Sequence, residues 1–274
     1  MPASSKAAAG PPAVNLRGVT KTFGVGLDAV EAVAETNILV EAGTTTALVG
    51  PSGCGKSTLL RMIAGLESPT GGEIRVGSEA PDGVSSSGEL AVAFQDPSLL
   101  PWLTIEGNVK LAQRLARKPS DAAAIDALIE RVGLSGFASR RPAELSGGMR
   151  QRAAIARCLA TNPKVLLLDE PFGAVDELTR RRLNIELPPI WERGGATTVL
   201  VTHSVSEAVL LSDRVLVMSK RPGAIIHDIS IPLARPRREE MIDSPEFRAL
   251  QSKIVAYLLG EDRRPQHLKI AATG

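Results

Sequence analysis

Short apolar runs that end at a polar residue or a glycine recur along this chain. They cover residues 46–49 before Gly50, 90–94 before Gln95, 165–168 before Asp169 and 198–202 before His203. Continuous apolar runs of this length are typical of strands buried on both faces of a parallel sheet. Ligands of open α/β sheets bind outside the carboxyl ends of the strands. We therefore expect the four residues that follow the runs to gather at one edge of a parallel sheet.

The N-terminal part of the chain carries a different pattern. Residues 1–13 are rich in small residues and proline, which predicts a disordered tail. Val14–Phe23 predicts an edge strand, and residues 25–40, which are apolar with interspersed charges, predict another pair of strands. We expect these strands to form an antiparallel β edge beside the parallel sheet.

Helical periodicity dominates residues 100–160, which we predict to form a helical insertion subdomain between two strands of the parallel sheet. Ser120 is predicted to cap one helix, which ends at Gly133, and a second helix is predicted to begin at Ser146. Residues 234–274 predict a C-terminal helical extension with one amphipathic helix. The pattern as a whole therefore indicates the α/β class.

Composition excludes several classes of protein. The 274 residues are 43% hydrophobic and 23% charged, which excludes disorder over the whole chain. Five Phe, two Trp, one Tyr and a net charge of +2 give no sign of a nucleic-acid partner. No apolar run is long enough for a membrane span or a secretory signal, so we expect a cytosolic location. Cys54 and Cys158 offer neither metal spacing nor a disulfide framework.

The most specific motif follows the first apolar run. Residues 50–57 match the pattern G-x-x-x-x-G-K-[ST], with a predicted strand before them and a predicted helix after them. The glycines let backbone N–H groups turn towards phosphate oxygens, and the helix adds its positive end. Lys56 is expected to be the only side-chain cation aimed at the phosphates, and Ser57 to bind Mg²⁺. The predicted phosphate-binding residues are Gly50, Pro51, Ser52, Gly53, Cys54, Gly55, Lys56, Ser57 and Thr58.

Two carboxylates, Asp169 and Glu170, follow the apolar run at residues 165–168. Taken alone, they are most simply interpreted as a charged loop after a strand. Beside a phosphate loop, they predict that Asp169 binds Mg²⁺ and that Glu170 orients or deprotonates an attacking water.

Further motifs, in a fixed order, point to a family. Residues 145–152 read Leu-Ser-Gly-Gly-Met-Arg-Gln-Arg, and Gln95, Asp176 and His203 stand before and after them. This order resembles the nucleotide-binding subunit of ATP-binding-cassette (ABC) transporters over residues 14–233, which implies a P-loop NTPase core with ATP and Mg²⁺ as ligands. Three segments, residues 95–104, 169–173 and 220–223, resemble the nitrate, sulfonate and taurine importers of that family.

The resemblance also implies roles for single residues. Ser146, Gly147 and Gly148 correspond to a signature loop that contacts the γ-phosphate of ATP on a second copy of the chain, which implies a homodimer. Serine before a helix is otherwise simply an N-cap. Asp176 completes the predicted nucleotide-binding set.

Three positions remain. The resemblance implies that Gln95 contacts Mg²⁺ and the attacking water, and that His203 hydrogen-bonds the γ-phosphate; Ser204 stands where the family has aspartate. Phe23 resembles the aromatic residue that stacks on adenine, with a place in the core as the alternative. Alone, Gln95 is also interpretable as a polar strand end and His203 as a structural histidine.

The resemblance implies an ATP-hydrolysing importer subunit at the cytoplasmic face of the membrane. Its partners would be integral membrane permease subunits and, indirectly, an extracytoplasmic solute-binding protein. The alternatives are an ABC exporter and an ABC ATPase without a transport role. The basic clusters at residues 140–141, 180–182 and 235–238 are interpreted as solvated surfaces and partners of the C-terminal helix, with contact to a membrane subunit or lipid head groups as the alternative.

Overall fold

The fold is built from two sheets with helices packed around them. It is described from a computed structural model, which covers residues 10–119, 121–173 and 175–260. The strands are β1 (Val14–Phe23), β2 (Val30–Val40), β3 (Thr45–Val49), β4 (Gly71–Val76), β5 (Leu90–Ala93), β6 (Val165–Asp169), β7 (Thr197–Val201), β8 (Arg214–Met218) and β9 (Ile225–Ser230). The helices are α1 (Lys56–Ile63), α2 (Pro81–Ser86), α3 (Ile105–Leu115), α4 (Ala122–Arg131), α5 (Gly147–Leu159), α6 (Glu177–Glu186), α7 (Pro188–Glu192), α8 (Val205–Leu211) and α9 (Pro245–Leu259).

The larger sheet has the strand order β5-β6-β7-β3-β8-β9. Its first five strands are parallel, and β9 pairs antiparallel with β8 at the edge. Every residue of β3, β6 and β7 is buried, as expected for strands covered by helices on both faces. All four predicted parallel strands are present, and their carboxyl ends meet at one edge of this sheet. Their predicted burial is confirmed for β3, β6 and β7 but not for β5, which lies at the edge of the sheet and has Ala91 and Val92 partly exposed.

The smaller sheet is antiparallel, with the order β2-β1-β4. The prediction of β1 as an edge strand was wrong, because β1 pairs with β2 on one side and β4 on the other. The predicted strand pair at residues 25–40 was also wrong. That segment contains one strand, β2, because a 3₁₀ turn at Gly26–Asp28 precedes it and Gly26 takes a positive φ of 62°.

Helix α1 lies between the two sheets. Its buried side chains, among them Leu59 and Ile63, join one apolar cluster with Leu16 of the small sheet and Leu167 of the large one. A second cluster on the opposite face of the large sheet includes residues from α3, α4, α5, α8 and α9. The phosphate loop thus connects a buried strand to a buried helix, which fixes both of its ends.

Helices α3, α4 and α5 lie between β5 and β6 in the sequence. Asp121 caps α4, since its carboxylate accepts a 3.0 Å hydrogen bond from Ala124 N. The cap predicted at Ser120 was therefore wrong, because Asp121 takes the N-cap position; Ser120 itself lies outside the described residues. Helix α5 begins directly after Ser146, as predicted.

The C-terminal segment packs on α8 through a buried arginine. Arg237 Nη1 donates hydrogen bonds to Val209 O and to Ser212 O, at the end of α8, where unpaired carbonyls favour a cation. Burial lowers the pKa of the Arg237 guanidinium. The interpretation of residues 235–238 as a solvated surface thus fails at Arg237, and the helix that this side chain contacts is α8 rather than the C-terminal helix α9. Among the described residues, no helix is both long enough and apolar enough to cross a bilayer.

Candidate functional site

The phosphate loop, residues 50–57, is shaped by glycines at close backbone approaches. Gly53 and Gly55 have φ values of 72° and 103°, a region that L side chains rarely adopt. A Cβ on Gly55 would lie 2.7 Å from Ala32 O. Lys56 folds back over the loop, and its Nζ donates to Gly50 O (2.8 Å) and Pro51 O (2.9 Å). The loop is therefore a backbone cradle that holds a buried ammonium group.

A groove of about 470 Å³ opens beside this loop. The lining residues come from β1 and β2 of the small sheet, the phosphate loop and the start of α1, the end of β6, and the turn between β8 and β9. They are Phe23, Val30, Ala32, Ser52, Gly53, Gly55, Lys56, Ser57, Thr58, Glu170 and Arg221. Apolar groups at one part of the groove and N–H, hydroxyl and cationic groups at another fit an elongated ligand that carries phosphates.

Ser57 and Asp169 form the link between the loop and strand β6. Ser57 Oγ donates a 2.8 Å hydrogen bond to Asp169 Oδ1. Burial raises the pKa of the Asp169 carboxyl, the Ser57 hydrogen bond lowers it, and the charge of Glu170 raises it again. A buried carboxylate beside a hydroxyl offers the hard oxygen ligands that suit Mg²⁺, which is bound by few protein groups and completed by phosphates and water. The described residues contain no group of three or more His, Cys, Asp and Glu side chains placed as a metal cluster, and such a Mg²⁺ site does not need one.

Glu170 stands in a strained backbone conformation with φ of 46°. Its N–H donates to Val201 O (2.8 Å), and its Oε2 lies 3.3 Å from His203 Nδ1. Gln95 and Glu170 both lie beside Gly173, because a Cβ on Gly173 would be 3.3 Å from Gln95 Nε2 and 3.4 Å from Glu170 Oε2. Gln95, Glu170 and His203 are thus brought together around one small space, as their positions at strand ends predicted.

Phe23 ends β1 at the mouth of the groove. Its side chain is 42% exposed, so the alternative of a core phenylalanine is wrong. Lys21 Nζ lies 4.8 Å from the centre of the Phe23 ring. The ring is therefore available for a contact with a flat ligand group.

The signature loop lies apart from this groove. Ser146 caps α5 by accepting a hydrogen bond from Met149 N, and a Cβ on Gly148 would lie 2.7 Å from Thr179 Cγ2. Asp176 caps α6 by accepting from Thr179 N (3.0 Å), and this bond lowers the pKa of its carboxyl. Ser146, Gly147, Gly148 and Asp176 are not among the residues that line the groove.

Sequence reasoning missed the turn between β8 and β9 as part of the site. Arg221 lines the groove, and its Nε and Nη2 both donate to Gly53 O at 3.3 Å. The sequence predicts Lys56 alone as a cation at this place, and Arg221 is a second cationic side chain that lines the groove. A Cβ on Gly223 would lie 1.9 Å from Cys54 O, so this turn packs directly on the phosphate loop.

A buried glutamate behind His203 was also missed. Glu207 Oε2 accepts a 2.6 Å hydrogen bond from Thr202 Oγ1, and Glu207 Oε1 lies 3.8 Å from Arg180 Nε. Thr202 Oγ1 in turn accepts from Ser204 N, so this network holds the backbone on both sides of His203. Arg180 is only partly exposed, which corrects the interpretation of residues 180–182 as a fully solvated surface. The only available sequence signal was a glutamate followed by four apolar residues in the same helix.

Comparisons with known proteins agree with this geometry. A family model described as "ABC transporter" matches residues 33–173. The nitrate import ATP-binding protein NrtC of Synechocystis is 48% identical over 241 residues, which is 85% of this chain and 35% of NrtC. The aliphatic sulfonates import ATP-binding protein SsuB of Rhodopseudomonas palustris is 43% identical over 248 residues, which is 90% of this chain and 83% of SsuB.

Solved structures match the fold as well. The dimeric structure of MJ0796, a bacterial ABC transporter cassette, superposes with a TM-score of 0.72 and 30% identity over 81% of this chain and 100% of that one. The same cassette bound to ADP and Pi, in a post-hydrolysis state, gives a TM-score of 0.69. The chain spans about a third of the length of the nitrate and bicarbonate relatives that it matches, but most of the length of the sulfonate relatives.

Proposed function

This chain belongs to the ABC transporter family, and from that premise we propose that it is the ATP-hydrolysing subunit of an importer. The observation that carries the proposal is the joining of the phosphate loop to the acidic strand end, where Ser57 contacts Asp169 and Glu170 follows it. A phosphate cradle alone fits many anions. A cradle with a metal-binding pair and a second carboxylate beside it fits hydrolysis of a nucleoside triphosphate.

The groove orients the nucleotide in a single direction. Phe23 stacks on the adenine at the mouth, and the loop N–H groups surround the phosphates. Lys56 contacts the β- and γ-phosphates. Bound Mg²⁺, held by Ser57, Asp169 and Gln95, would neutralise phosphate charge during hydrolysis.

Glu170 acts on the attacking water, because its carboxylate is only partly buried and lies in the groove. It accepts a proton from the water or orients it in line with the γ-phosphate. His203, at hydrogen-bond distance from Glu170, holds the γ-phosphate and limits the positions that Glu170 can take. The positive φ of Glu170 keeps its side chain at this place.

Two copies of the chain enclose two nucleotides. This arrangement is supported by the dimeric cassette that the chain resembles and by the position of Ser146–Gly148, away from the groove of their own chain. The N-terminus of α5 would supply N–H groups and a positive helix end to the nucleotide of the partner. Asp176, beside this loop, would contact the same composite site.

The transported solute is a small anion of the nitrate, bicarbonate or sulfonate kind, because the similar proteins carry these import names. The chain would act at the cytoplasmic face of the membrane on separate permease subunits, with a solute-binding protein outside. Exporters and ABC ATPases without a transport role are disfavoured, since the relatives named above are import proteins.

Growth and hydrolysis together test the proposal. Purified chain, alone or with its permease, should hydrolyse ATP only with Mg²⁺, and Lys56→Ala should abolish this activity. Lys253→Ala, an exposed lysine on α9, is the matched control and should retain it. A strain without the gene should fail to grow when one of these anions is its limiting source of nitrogen, carbon or sulfur. Wild-type chain, but not Lys56→Ala, should restore growth. Absence of Mg²⁺-dependent hydrolysis in both preparations would contradict the proposal.

A further inference from the structure

We propose that Arg221 is a second phosphate-binding cation of the nucleotide groove. This inference rests on the proposed function and adds a residue to the binding site. Its ligand would be the polyphosphate chain of a nucleoside di- or triphosphate, which the guanidinium would contact from the tip of the phosphate loop.

The position of Arg221 carries the first step. Its guanidinium lies over the tip of the phosphate loop, where Nε and Nη2 each donate to Gly53 O at 3.3 Å. It lines the same groove as Ser52, Lys56 and Ser57. A guanidinium has five N–H donors, so three remain for a ligand while two stay on the loop.

The charge of Arg221 is available for an anion. Within the described ranges, no carboxylate forms an ion pair with it, although Glu170 lines the same groove. Its side chain is exposed, and both hydrogen bonds are long for N–H···O, so the loop holds it only weakly. A phosphate oxygen is a stronger acceptor for a guanidinium than a carbonyl, because the hydrogen bond is charge-assisted at both partners.

Hydrogen bonds hold the turn that contains Arg221, so its side chain projects from a fixed backbone position. Gly223 N donates to Ala32 O (3.1 Å), and Ala34 N donates to Gly223 O (3.0 Å), which ties the turn to β2. Ala224 N donates to Ser219 Oγ (3.0 Å) across the turn. The missing side chain of Gly223 lets the turn approach Cys54. Fixing the turn lowers the entropy cost of ordering Arg221 on a ligand.

The neighbouring Lys220 provides a matched control. It is an exposed cation in the same turn, one residue away, but it does not line the groove. A general effect of positive charge near the site would act through both residues. A direct contact with phosphate would act through Arg221 alone.

The experiment measures nucleotide affinity of the full chain by calorimetry, and adenosine affinity by competition with a fluorescent nucleotide. Arg221→Ala is expected to weaken ATP and ADP about 10- to 100-fold, the range of a charge-assisted hydrogen bond. Adenosine affinity should stay within about two-fold, and the affinity for ATP should depend less steeply on salt. Lys220→Ala should bind ATP like the wild type. Arg221→Gln keeps a donor for Gly53 O without the charge and should behave like Arg221→Ala.

The outcomes separate this inference from the function on which it rests. If the wild type does not bind ATP, the proposed function fails. If the wild type binds ATP and Arg221→Ala binds it equally well, the inference is overturned. Equal losses for ATP and adenosine would also overturn it, because Arg221 would then only shape the loop. Should Arg221→Ala fail to fold, Arg221→Gln decides by the same criteria.

Discussion

Ser57 Oγ donates a 2.8 Å hydrogen bond to Asp169 Oδ1, which ties the last residue of the phosphate loop to the last residue of strand β6. The two groups are far apart in the sequence, and the parallel sheet brings them together. Under the proposed function, this pair would share one Mg²⁺.

Ser57→Ala tests this arrangement. The variant should bind ATP without Mg²⁺ like the wild type, since the backbone cradle is unchanged. Mg²⁺ strengthens ATP binding, and in this variant we expect the strengthening to be at least about 10-fold smaller than in the wild type. Losses of this size are found when groups around a metal site are removed. Calorimetry with Mg²⁺ and with a chelator measures both values. Ser86→Ala, which removes an exposed hydroxyl on α2, is the control. An unchanged Mg²⁺ effect in Ser57→Ala would exclude Ser57 as a ligand.

Glu170→Gln keeps the size and hydrogen bonds of the side chain but cannot accept a proton. Hydrolysis should fall about 10²- to 10⁴-fold, the usual contribution of a general base, while ATP affinity is retained. The variant should accumulate as an ATP-bound dimer, which size-exclusion chromatography detects. Glu246→Gln, at an exposed position of α9, should hydrolyse ATP normally. Hydrolysis near the wild-type rate in Glu170→Gln would show that the base is another group.

Glu207 gives a prediction for pH. Burial raises the pKa of its carboxyl above the ordinary 4.5, although Thr202 and Arg180 lower it. The folded protein thus holds this proton more tightly than the unfolded chain. The protonated Glu207 carboxyl thus contributes to the free energy of unfolding. This contribution is fully present below the pKa of Glu207 in the unfolded chain and is lost as the pH rises through its higher pKa in the folded protein.

Glu207→Gln cannot ionise. The polar and titratable groups that face position 207 are Thr202, Arg180, Asn184 and His203. We expect its free energy of unfolding, relative to the wild type, to rise as the pH increases above the ordinary carboxyl pKa of 4.5. Urea unfolding at each pH measures this difference, with Glu246→Gln as the control. A difference that falls with pH would mean that the charge of Arg180 lowers the pKa of Glu207 by more than burial raises it.

Phe23→Ala should weaken ATP binding by about 1–3 kcal/mol, the range for stacking of a base on an aromatic ring. The exposed ring contributes little to the core, so the melting temperature without nucleotide should change only slightly. Calorimetry and thermal unfolding give the two numbers. Phe137→Ala removes another exposed ring, remote from the groove, and should leave ATP affinity unchanged.

The predictable parts of the site were local in sequence. The phosphate loop between β3 and α1, and the carboxylates after β6, follow from apolar runs and a contiguous motif. The position of Arg221 in the groove could not be predicted, because 168 residues separate it in sequence from Gly53, which it contacts. An arginine in a turn also carries no local sign of what it faces. The central position of β1 in the small sheet could not be predicted for the same reason, because its partners β2 and β4 lie on opposite sides of α1 in the sequence.

The composite site is tested by mixing two defective chains. Ser146→Arg blocks the signature loop and should cost the fold only about 1 kcal/mol, because Ser146 is an exposed N-cap. Lys56→Ala disables the phosphate loop. Each variant alone should be inactive, since every site of its dimer is broken.

A dimer of Ser146→Arg with Lys56→Ala has one site that joins an intact phosphate loop to an intact signature loop. We expect the mixture to regain ATP hydrolysis in proportion to the mixed dimers, which differently tagged chains quantify. The control mixes Ser146→Arg with a chain that carries both changes, because no site of that dimer is complete, and it should stay inactive. If mixed dimers form without any recovery, Ser146 does not complete the nucleotide site of its partner, and the composite site is excluded.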